Sequence, residues 1–195
     1  MWRAIIKGSI VGALVAFAWS FFSWVVLPWH ENTVHQFQNE EYVSWALKEN
    51  TKKHGIYVYP SCSEKEGMTK AERNASWKDY QEKVEKGPYV FASVVPKGFK
   101  FNMLLSQLQM IVALLIAAGI ISFLLLKSQF TTYFGKVFFV TLIALVAGIL
   151  VDSINWIWWQ FPTHFTAVNM IDQVITWFIA GLAMAPVVKI KHQRG

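Results

Sequence analysis

Two aspartates in otherwise apolar stretches are the residues whose type and position could support chemistry in this chain. Asp152 and Asp172 both lie within residues 151–177, VDSINWIWWQFPTHFTAVNMIDQVITW. An ionisable side chain inside an apolar helix is costly, so it commonly serves a proton relay, an ion path or a ligand site. The structural alternative is hydrogen bonding between helices, which contributes about 0.6–2 kcal/mol per bond. We favour the structural role and keep two alternatives open: a proton, cation or small-ligand site, and a contact with a partner subunit.

Helical spacing places further polar side chains beside both aspartates, because residues three, four and seven apart share one face of a helix. The short loop 160–164 makes the last two helices antiparallel neighbours, so their polar faces should meet near that loop. The predicted polar cluster consists of Asp152, Asn155, Asn169, Asp172, Gln173 and Thr176, with Ser106 and Gln109 from the second apolar run. Ser20 and Ser23 of the first run should lie at the same depth and add to it. Candidate partners at its rim are His30, His164, Lys97 and Lys100.

The elements that position these residues are four apolar runs, at about 5–27, 103–126, 137–159 and 165–188. Each is long enough to cross a bilayer core, which needs about 20 residues of helix. Only 15% of the residues are charged, against about 25% in soluble domains. The first run is too long for a cleaved signal peptide, so we expect it to remain as an anchor. The predicted fold is a mainly α membrane protein, a four-transmembrane-helix bundle with a small α/β extracytoplasmic insertion between helices 1 and 2.

Basic residues indicate how the chain is threaded. If it crosses four times, one side collects Arg3, Lys7, Lys127, Lys136, Lys189, Lys191 and Arg194, whereas the loop 160–164 has no Lys or Arg. Positive residues favour the cytoplasmic side, so both termini should be cytoplasmic. The predicted segments are transmembrane helix 1 (1–28), a periplasmic α/β domain (29–101), and transmembrane helices 2–4 with a basic cytoplasmic tail (102–195).

The segment between the first two spans has its own local signals. We predict a helix over 39–53, a strand over 56–59, a helix from about 69 to 86 and a buried strand over 89–95. Thr69 and Glu72 form a capping box at the start of the second helix. Trp77, Tyr80 and Val84 should form the buried stripe of that helix. In span 1, a seam of small residues should pack within the bundle rather than against a second copy; its members are Gly8, Gly12, Ala16 and Ser20.

Other possible chemistry is discounted. His30 and His35 are five residues apart, whereas a zinc-protease helix needs histidines four apart. The lone Cys62 excludes an intrachain disulfide and a multi-cysteine metal site. Neither a glycine-rich phosphate loop nor a nucleophile elbow is present, so we expect no metal, no cofactor and no catalytic residue.

Four local strings resemble an uncharacterised family of small bacterial four-span inner-membrane proteins. They are LPWH (27–30), GIYVYP (55–60), GPYVFA (87–92) and NWIWWQFP (155–162). The resemblance implies a bacterial inner-membrane protein with a periplasmic segment. It implies no activity.

These features predict a non-enzymatic accessory, assembly or envelope-interaction protein of the inner membrane. One alternative is a small oligomeric proton- or cation-coupled transporter or channel subunit that uses Asp152 and Asp172, and another is a membrane enzyme acting on a lipid or quinone. The expected partners are the lipid bilayer and either a larger membrane complex or further copies of the chain. The net charge of +6 comes from residues flanking the apolar runs, so nucleic acid is not expected as a partner.

Overall fold

The structure is a computed structural model that describes residues 1–62 and 66–189. Its elements, in chain order, are α1 (Trp2–Val25), a 3₁₀ turn (Glu31–Thr33), α2 (Glu40–Asn50), β1 (Gly55–Tyr59), α3 (Lys70–Lys86), β2 (Val90–Val94), α4 (Met103–Lys127), α5 (Tyr133–Trp158) and α6 (Thr163–Met184). Helices α1, α4, α5 and α6 are long and apolar enough to cross a membrane. This confirms that the four apolar runs form helices. Lys191 and Arg194 of the predicted basic tail lie outside the described residues.

Local sequence explains where the long helices begin. The Asn102 side chain accepts a hydrogen bond from the backbone N–H of Leu105 at the start of α4. Thr132 accepts one from the N–H of Gly135 at the start of α5. Pro162 precedes the first residue of α6. These residues satisfy or remove backbone donors that the first turn of a helix leaves unpaired.

The chain forms two compact units. Residues 1–35 and those from 102 onward form the first, which we call the bundle, and residues 36–101 form the second, the inserted unit. In the bundle, α1 packs along α4 and α6, and α6 also packs along α5, whereas α4 and α5 meet at few positions. The helices therefore follow one another in the order α4–α1–α6–α5, with α1 and α6 in the middle.

Small residues on α1 allow this close packing. A Cβ atom at Gly12 would lie 2.6 Å from the Met184 sulfur and 3.0 Å from the Ala118 Cβ. A Cβ at Gly8 would collide with Ser122 of α4. The small-residue seam thus faces α4 and α6, as expected for packing within the bundle.

The apolar core fills only one half of the bundle. Its buried members are Ala13, Ala16, Leu114, Ala118, Ile121, Leu125, Val140, Ala180, Met184 and Val188. The first buried residue of α4 is Leu114, and the last buried residue of α5 is Gly148. The other halves of α4 and α5 are therefore largely exposed within this chain, while α6 is buried along most of its length.

The half of the bundle that contains the apolar core ends at one end of the bundle. The N-terminal ends of α1 and α5 and the C-terminal ends of α4 and α6 lie together there. There the Lys136 ammonium donates a hydrogen bond of 2.8 Å to the Val188 carbonyl, and the Tyr133 hydroxyl donates one of 3.1 Å to the Leu182 carbonyl. We call this end the basic end. At the opposite end of the bundle, α1 and α6 meet through the polar contacts described below.

The inserted unit has the predicted element order. Strands β1 and β2 pair antiparallel, from Gly55 opposite Val94 to Tyr59 opposite Val90. The capping box at the start of α3 is confirmed, with both Thr69 and Glu72 making their reciprocal bonds.

The predicted burial in this unit was wrong. Trp77 of α3 is 52% exposed, and α3 has no buried residue. In β2, only Val94 is buried, where the sequence predicted a fully buried strand. Two strands and two short helices are too small a set to enclose a core of their own.

Candidate functional site

Asp172 lies in the third turn of α6, on the face that this helix turns toward α1. Its side chain is nearly enclosed, and the residue is only 7% exposed. One turn further on, the buried Thr176 hydroxyl donates a hydrogen bond of 2.7 Å to the Asp172 backbone carbonyl. The carboxylate is therefore the polar group that α6 presents to its neighbour.

Two donors on α1 reach one oxygen of this carboxylate. The Trp19 indole Nε1 and the Ser23 hydroxyl each lie 2.8 Å from Asp172 Oδ1. Trp19 and Ser23 are four residues apart, so they lie on the same face of α1. Both continue the face on which Gly12 and Ala16 pack further down the helix.

The second oxygen contacts His30, which follows α1. His30 Nε2 lies 3.2 Å from Asp172 Oδ2, and His30 is 4% exposed. A carboxylate can only accept, so we place a proton on Nε2. His30, one of the rim side chains expected as partners, therefore contacts Asp172.

Backbone turns and an indole fix the position of His30. The Thr33 hydroxyl donates to the His30 carbonyl at 2.7 Å, within the 3₁₀ turn. The Trp29 indole donates to the Ser23 hydroxyl oxygen at 3.0 Å and to the Ser23 carbonyl at 3.2 Å. The chain therefore folds back against α1 directly after the helix ends. Residues 29–35, which the sequence analysis grouped with the inserted segment, belong to the bundle for this reason.

Two tryptophans enclose the imidazole ring. Trp24 stacks on His30, with ring centroids 3.9 Å apart and an interplanar angle of 8°. Trp29 meets the same ring edge-on, at 5.5 Å and 74°. Stacked and edge-on aromatic contacts contribute about 0.5–1.5 kcal/mol beyond the area they bury. The imidazole is thus held between a carboxylate and two indoles.

Serine, histidine and aspartate side chains together invite comparison with a hydrolase triad, but the geometry differs. In a triad, one ring nitrogen of the histidine faces the serine and the other faces the aspartate. Here His30 Nε2 faces both, at 3.3 Å from Ser23 and 3.2 Å from Asp172, and the Ser23 hydroxyl donates to the aspartate. Ser23 is also fully buried. The arrangement is a saturated hydrogen-bond network rather than an activated nucleophile.

Asp152 has different surroundings. It is half-buried in α5, and no side chain or backbone group in the described part of the chain hydrogen-bonds to its carboxylate. The Asp152 carboxylate and the Gln173 amide oxygen lie 3.8 Å and 3.7 Å from the point that a Cβ at Gly148 would occupy. The polar faces of α5 and α6 therefore adjoin at Gln173, while the hydrogen-bonding partners of Asp172 come from α1 and the segment after it.

The remaining members of the predicted polar cluster are distributed around these two aspartates. Asn155, Asn169 and Gln173 are half-buried, and Thr176 is buried. Two members of the cluster are exposed, Ser106 and Gln109, and so are the rim candidates His164, Lys97 and Lys100. Ser106 lines a shallow recess that Ser20 and Trp24 of α1 also line, and no residue of α4 before Leu114 is buried. The structure therefore brings His30 and Thr176 to Asp172.

Ser23 was expected in the polar cluster, and it does contact Asp172, whereas Trp19, Trp24 and Trp29 were not predicted as site residues. Trp19 could have been found by continuing the small-residue seam of α1 one turn beyond Ala16. The folding back of the chain after Pro28 carries no equally clear signal. Across residues 1–62 and 66–189, no three His, Cys, Asp or Glu side chains come together in a way that could hold a metal ion.

Comparison with known proteins found no matching family model, curated protein or solved structure.

Proposed function

We propose that this chain is a non-enzymatic accessory protein of the bacterial inner membrane, in which the bundle anchors the inserted unit at the periplasmic surface. The four long apolar helices support a membrane location. The bundle also gathers its flanking lysines at the basic end, while Trp24 and Trp29 lie at the other. Positive residues favour the cytoplasmic side and tryptophans favour the interfaces. Bacterial origin rests on the resemblance of the four strings quoted above.

The observation that carries a non-enzymatic role is that both oxygens of the buried Asp172 carboxylate are hydrogen-bonded within the chain. The donors of these bonds are Trp19, Ser23 and His30. These bonds occupy three of the roughly four acceptor positions of a carboxylate, and Asp172 is only 7% exposed, so the group is built to hold the chain's own donors. Its effect is to hold residues 26–35 against α1 and α6, which fixes where the chain leaves the bundle toward residue 36. We call this network the junction.

Threading is tested with a reporter fused after Gly67, in the inserted unit. An alkaline phosphatase fusion should be active, because that enzyme folds only outside the cytoplasm. A green fluorescent protein fusion at the same site should be dark when it is exported through the general secretion route. The reverse pattern would overturn the proposed orientation.

The accessory role is tested by mild-detergent purification from the native membrane, followed by mass spectrometry of bound proteins and small molecules. Wild-type protein should co-purify with defined partner proteins and without a substrate-like molecule. Asp172→Asn, which loosens the junction, should reduce that recovery, while Asp152→Asn should not. A wild-type protein that always purifies alone would contradict the accessory role, and a retained lipid-like or quinone-like substrate would favour the enzyme alternative.

A second candidate function rests on Asp152. Its carboxylate is half-buried on an apolar helix, beside Gln173, with no hydrogen-bond partner in the described residues. Ionisable groups of this kind occur along proton and cation paths. A proton- or cation-coupled transporter or channel subunit would therefore depend on Asp152 rather than on Asp172. In liposomes containing the purified protein, a proton or sodium flux that Asp152→Asn abolishes would establish this alternative, and an absence of protein-dependent flux would remove it.

A further inference from the structure

The basic end of the bundle contains a recess of about 380 Å³ beside the Lys136–Val188 hydrogen bond. Two lysines and two hydroxyl residues line part of it, namely Lys136, Lys189, Ser128 and Thr131. Apolar side chains of the α4 end and the following loop, including Leu126 and Phe130, line the rest. The recess therefore combines a cationic, hydrogen-bonding part with an apolar wall.

The positive charge in this recess is not balanced by the bundle itself. Lys136 and Lys189 line the same recess, and their like charges repel each other. Lys136 donates one hydrogen bond, to the Val188 carbonyl, and an ammonium group has three protons to donate. The acidic residues of the bundle are Glu31, Asp152 and Asp172, and Glu31 follows His30 in the 3₁₀ turn at the opposite end. Asp172 lies at the opposite end of the bundle, and Asp152 lies in the C-terminal part of α5, away from the recess.

An anion that bears several oxygens would satisfy this arrangement. Phosphate oxygens accept from ammonium groups and from hydroxyls, and a negative charge between two lysines relieves their repulsion. Basic pockets between membrane helices on the cytoplasmic side are suited to anionic lipid headgroups. The apolar wall favours a lipid over free phosphate. The acyl chains of a phospholipid would cover Leu126 and Phe130, whereas inorganic phosphate would leave these side chains exposed to solvent.

We propose that this recess binds the headgroup of an anionic phospholipid of the cytoplasmic leaflet. The inference rests on the membrane location proposed above. It adds a specific lipid site, formed by Lys136 and Lys189. Elsewhere the apolar surface of the bundle needs only non-specific contact with lipid chains. Binding there would tie the ends of α4, α5 and α6 together at the membrane surface.

The test uses the full chain purified in detergent and supplied with mixed micelles of phosphatidylglycerol, of phosphatidylcholine, or with inorganic phosphate alone. Phosphatidylglycerol should raise the melting temperature and remain bound to the protein in native mass spectrometry. Phosphatidylcholine and inorganic phosphate should do neither. Equal effects of the two lipids would overturn the proposal, and stabilisation by inorganic phosphate alone would replace the lipid with a soluble phosphate compound.

Variants separate the recess from general surface charge. Lys189→Gln should weaken phosphatidylglycerol binding about fivefold, the loss expected for one lysine at an anionic surface. Lys136→Gln also removes the hydrogen bond to Val188, so Lys136→Arg, which keeps the charge, should retain the lipid preference. Lys127→Gln is the matched control, because Lys127 is exposed at the same end but does not line the recess. If Lys127→Gln weakens binding as much as Lys189→Gln, the recess is not the site.

One further measurement keeps this proposal distinct from the membrane location. Carbonate washing of native membranes should leave the wild-type protein and Lys189→Gln equally in the membrane pellet. Wild-type protein in the wash supernatant would contradict the membrane location itself. Protein that stays in the pellet but shows no phosphatidylglycerol preference would contradict the lipid site alone.

Discussion

The two aspartates of the polar cluster should respond very differently to the same conservative change. Asp172→Asn keeps the size of the side chain and one acceptor oxygen, so it can keep the bonds from Trp19 and Ser23. It replaces the other oxygen with an NH₂ group that faces His30 Nε2, so the N–H of His30 loses its charged acceptor, and a bond re-forms there only through the other ring tautomer. Asp152→Asn removes a charge that no hydrogen bond from the described residues compensates.

The magnitude follows from what each change removes. Loss of one buried, charge-assisted hydrogen bond costs about 1.5–3 kcal/mol of unfolding free energy. For a chain of this size each kcal/mol shifts the melting temperature by about 2–4 °C, so Asp172→Asn should lower it by about 3–12 °C. Asp172→Ala leaves three donors without an acceptor and should cost about 3–5 kcal/mol. Asp152→Asn should change stability by less than about 0.5 kcal/mol, the range of substitutions that break no contact.

The assay is thermal unfolding of the purified full chain in one detergent, for wild type, both Asn variants, His30→Ala and the double variant His30→Ala/Asp172→Asn. The double variant should be less destabilised than the sum of its two single changes, with a coupling of about 0.5–3 kcal/mol for residues in one network. Two results would refute the reasoning. One is an equal loss of stability in Asp152→Asn and Asp172→Asn, and the other is strict additivity of the His30 and Asp172 changes.

Three further predictions concern packing, pH and the aromatic enclosure. Gly12→Ala should destabilise the bundle by about 1–3 kcal/mol in thermal unfolding because its Cβ has no room, whereas Gly119→Ala, whose Cβ would have only ordinary contacts, should be neutral or slightly stabilising. Backbone and side-chain hydrogen bonds from the N-cap threonine lower the pKa of the Glu72 carboxyl, so its stabilisation of α3 is present above the unfolded-state pKa and is lost as pH falls through the folded-state value. An acid titration of the α3 N-cap amide by NMR should show this loss, and Glu72→Gln should remove it. Trp24→Ala should cost about 0.5–1.5 kcal/mol in the same thermal assay because it removes the ring stacked on His30, and an unchanged melting temperature would show that the stack contributes nothing.

Many residues of the candidate site could be inferred from the sequence, but which helices contribute the hydrogen-bond partners of Asp172 could not. Helical spacing assigned Asp172 and Thr176 to one face of α6, and the structure has both buried on that face. The spacing could not say which neighbouring helix that face meets. The short loop between α5 and α6 suggested that this face meets α5, because consecutive helices joined by a short loop are usually neighbours. The partners of Asp172 are instead Trp19 and Ser23 on α1, because the small residues of α1 let it pack between α4 and α6.

His30 shows the same limit at the level of a single turn. Its sequence position, just after the first span, placed it only as one of four rim candidates. Which of them would reach the carboxylate depended on the backbone after Pro28, where Trp29 bonds back to Ser23 and brings the imidazole into the bundle. Backbone turns of this kind depend on contacts between residues distant in space, so local pattern does not specify them.

The sequence by itself determined the features that depend on length, periodicity and local capping. These are the four apolar helices, the order of the elements in the inserted unit, the capping box at Thr69 and Glu72, and the seam that packs within the bundle. Only the tertiary structure decided which aspartate is hydrogen-bonded through both oxygens and which has no hydrogen-bond partner among the described residues. The physical reason is that helix-forming signals act within a few residues, whereas the neighbour of each helical face is chosen by how side chains of distant segments fit together.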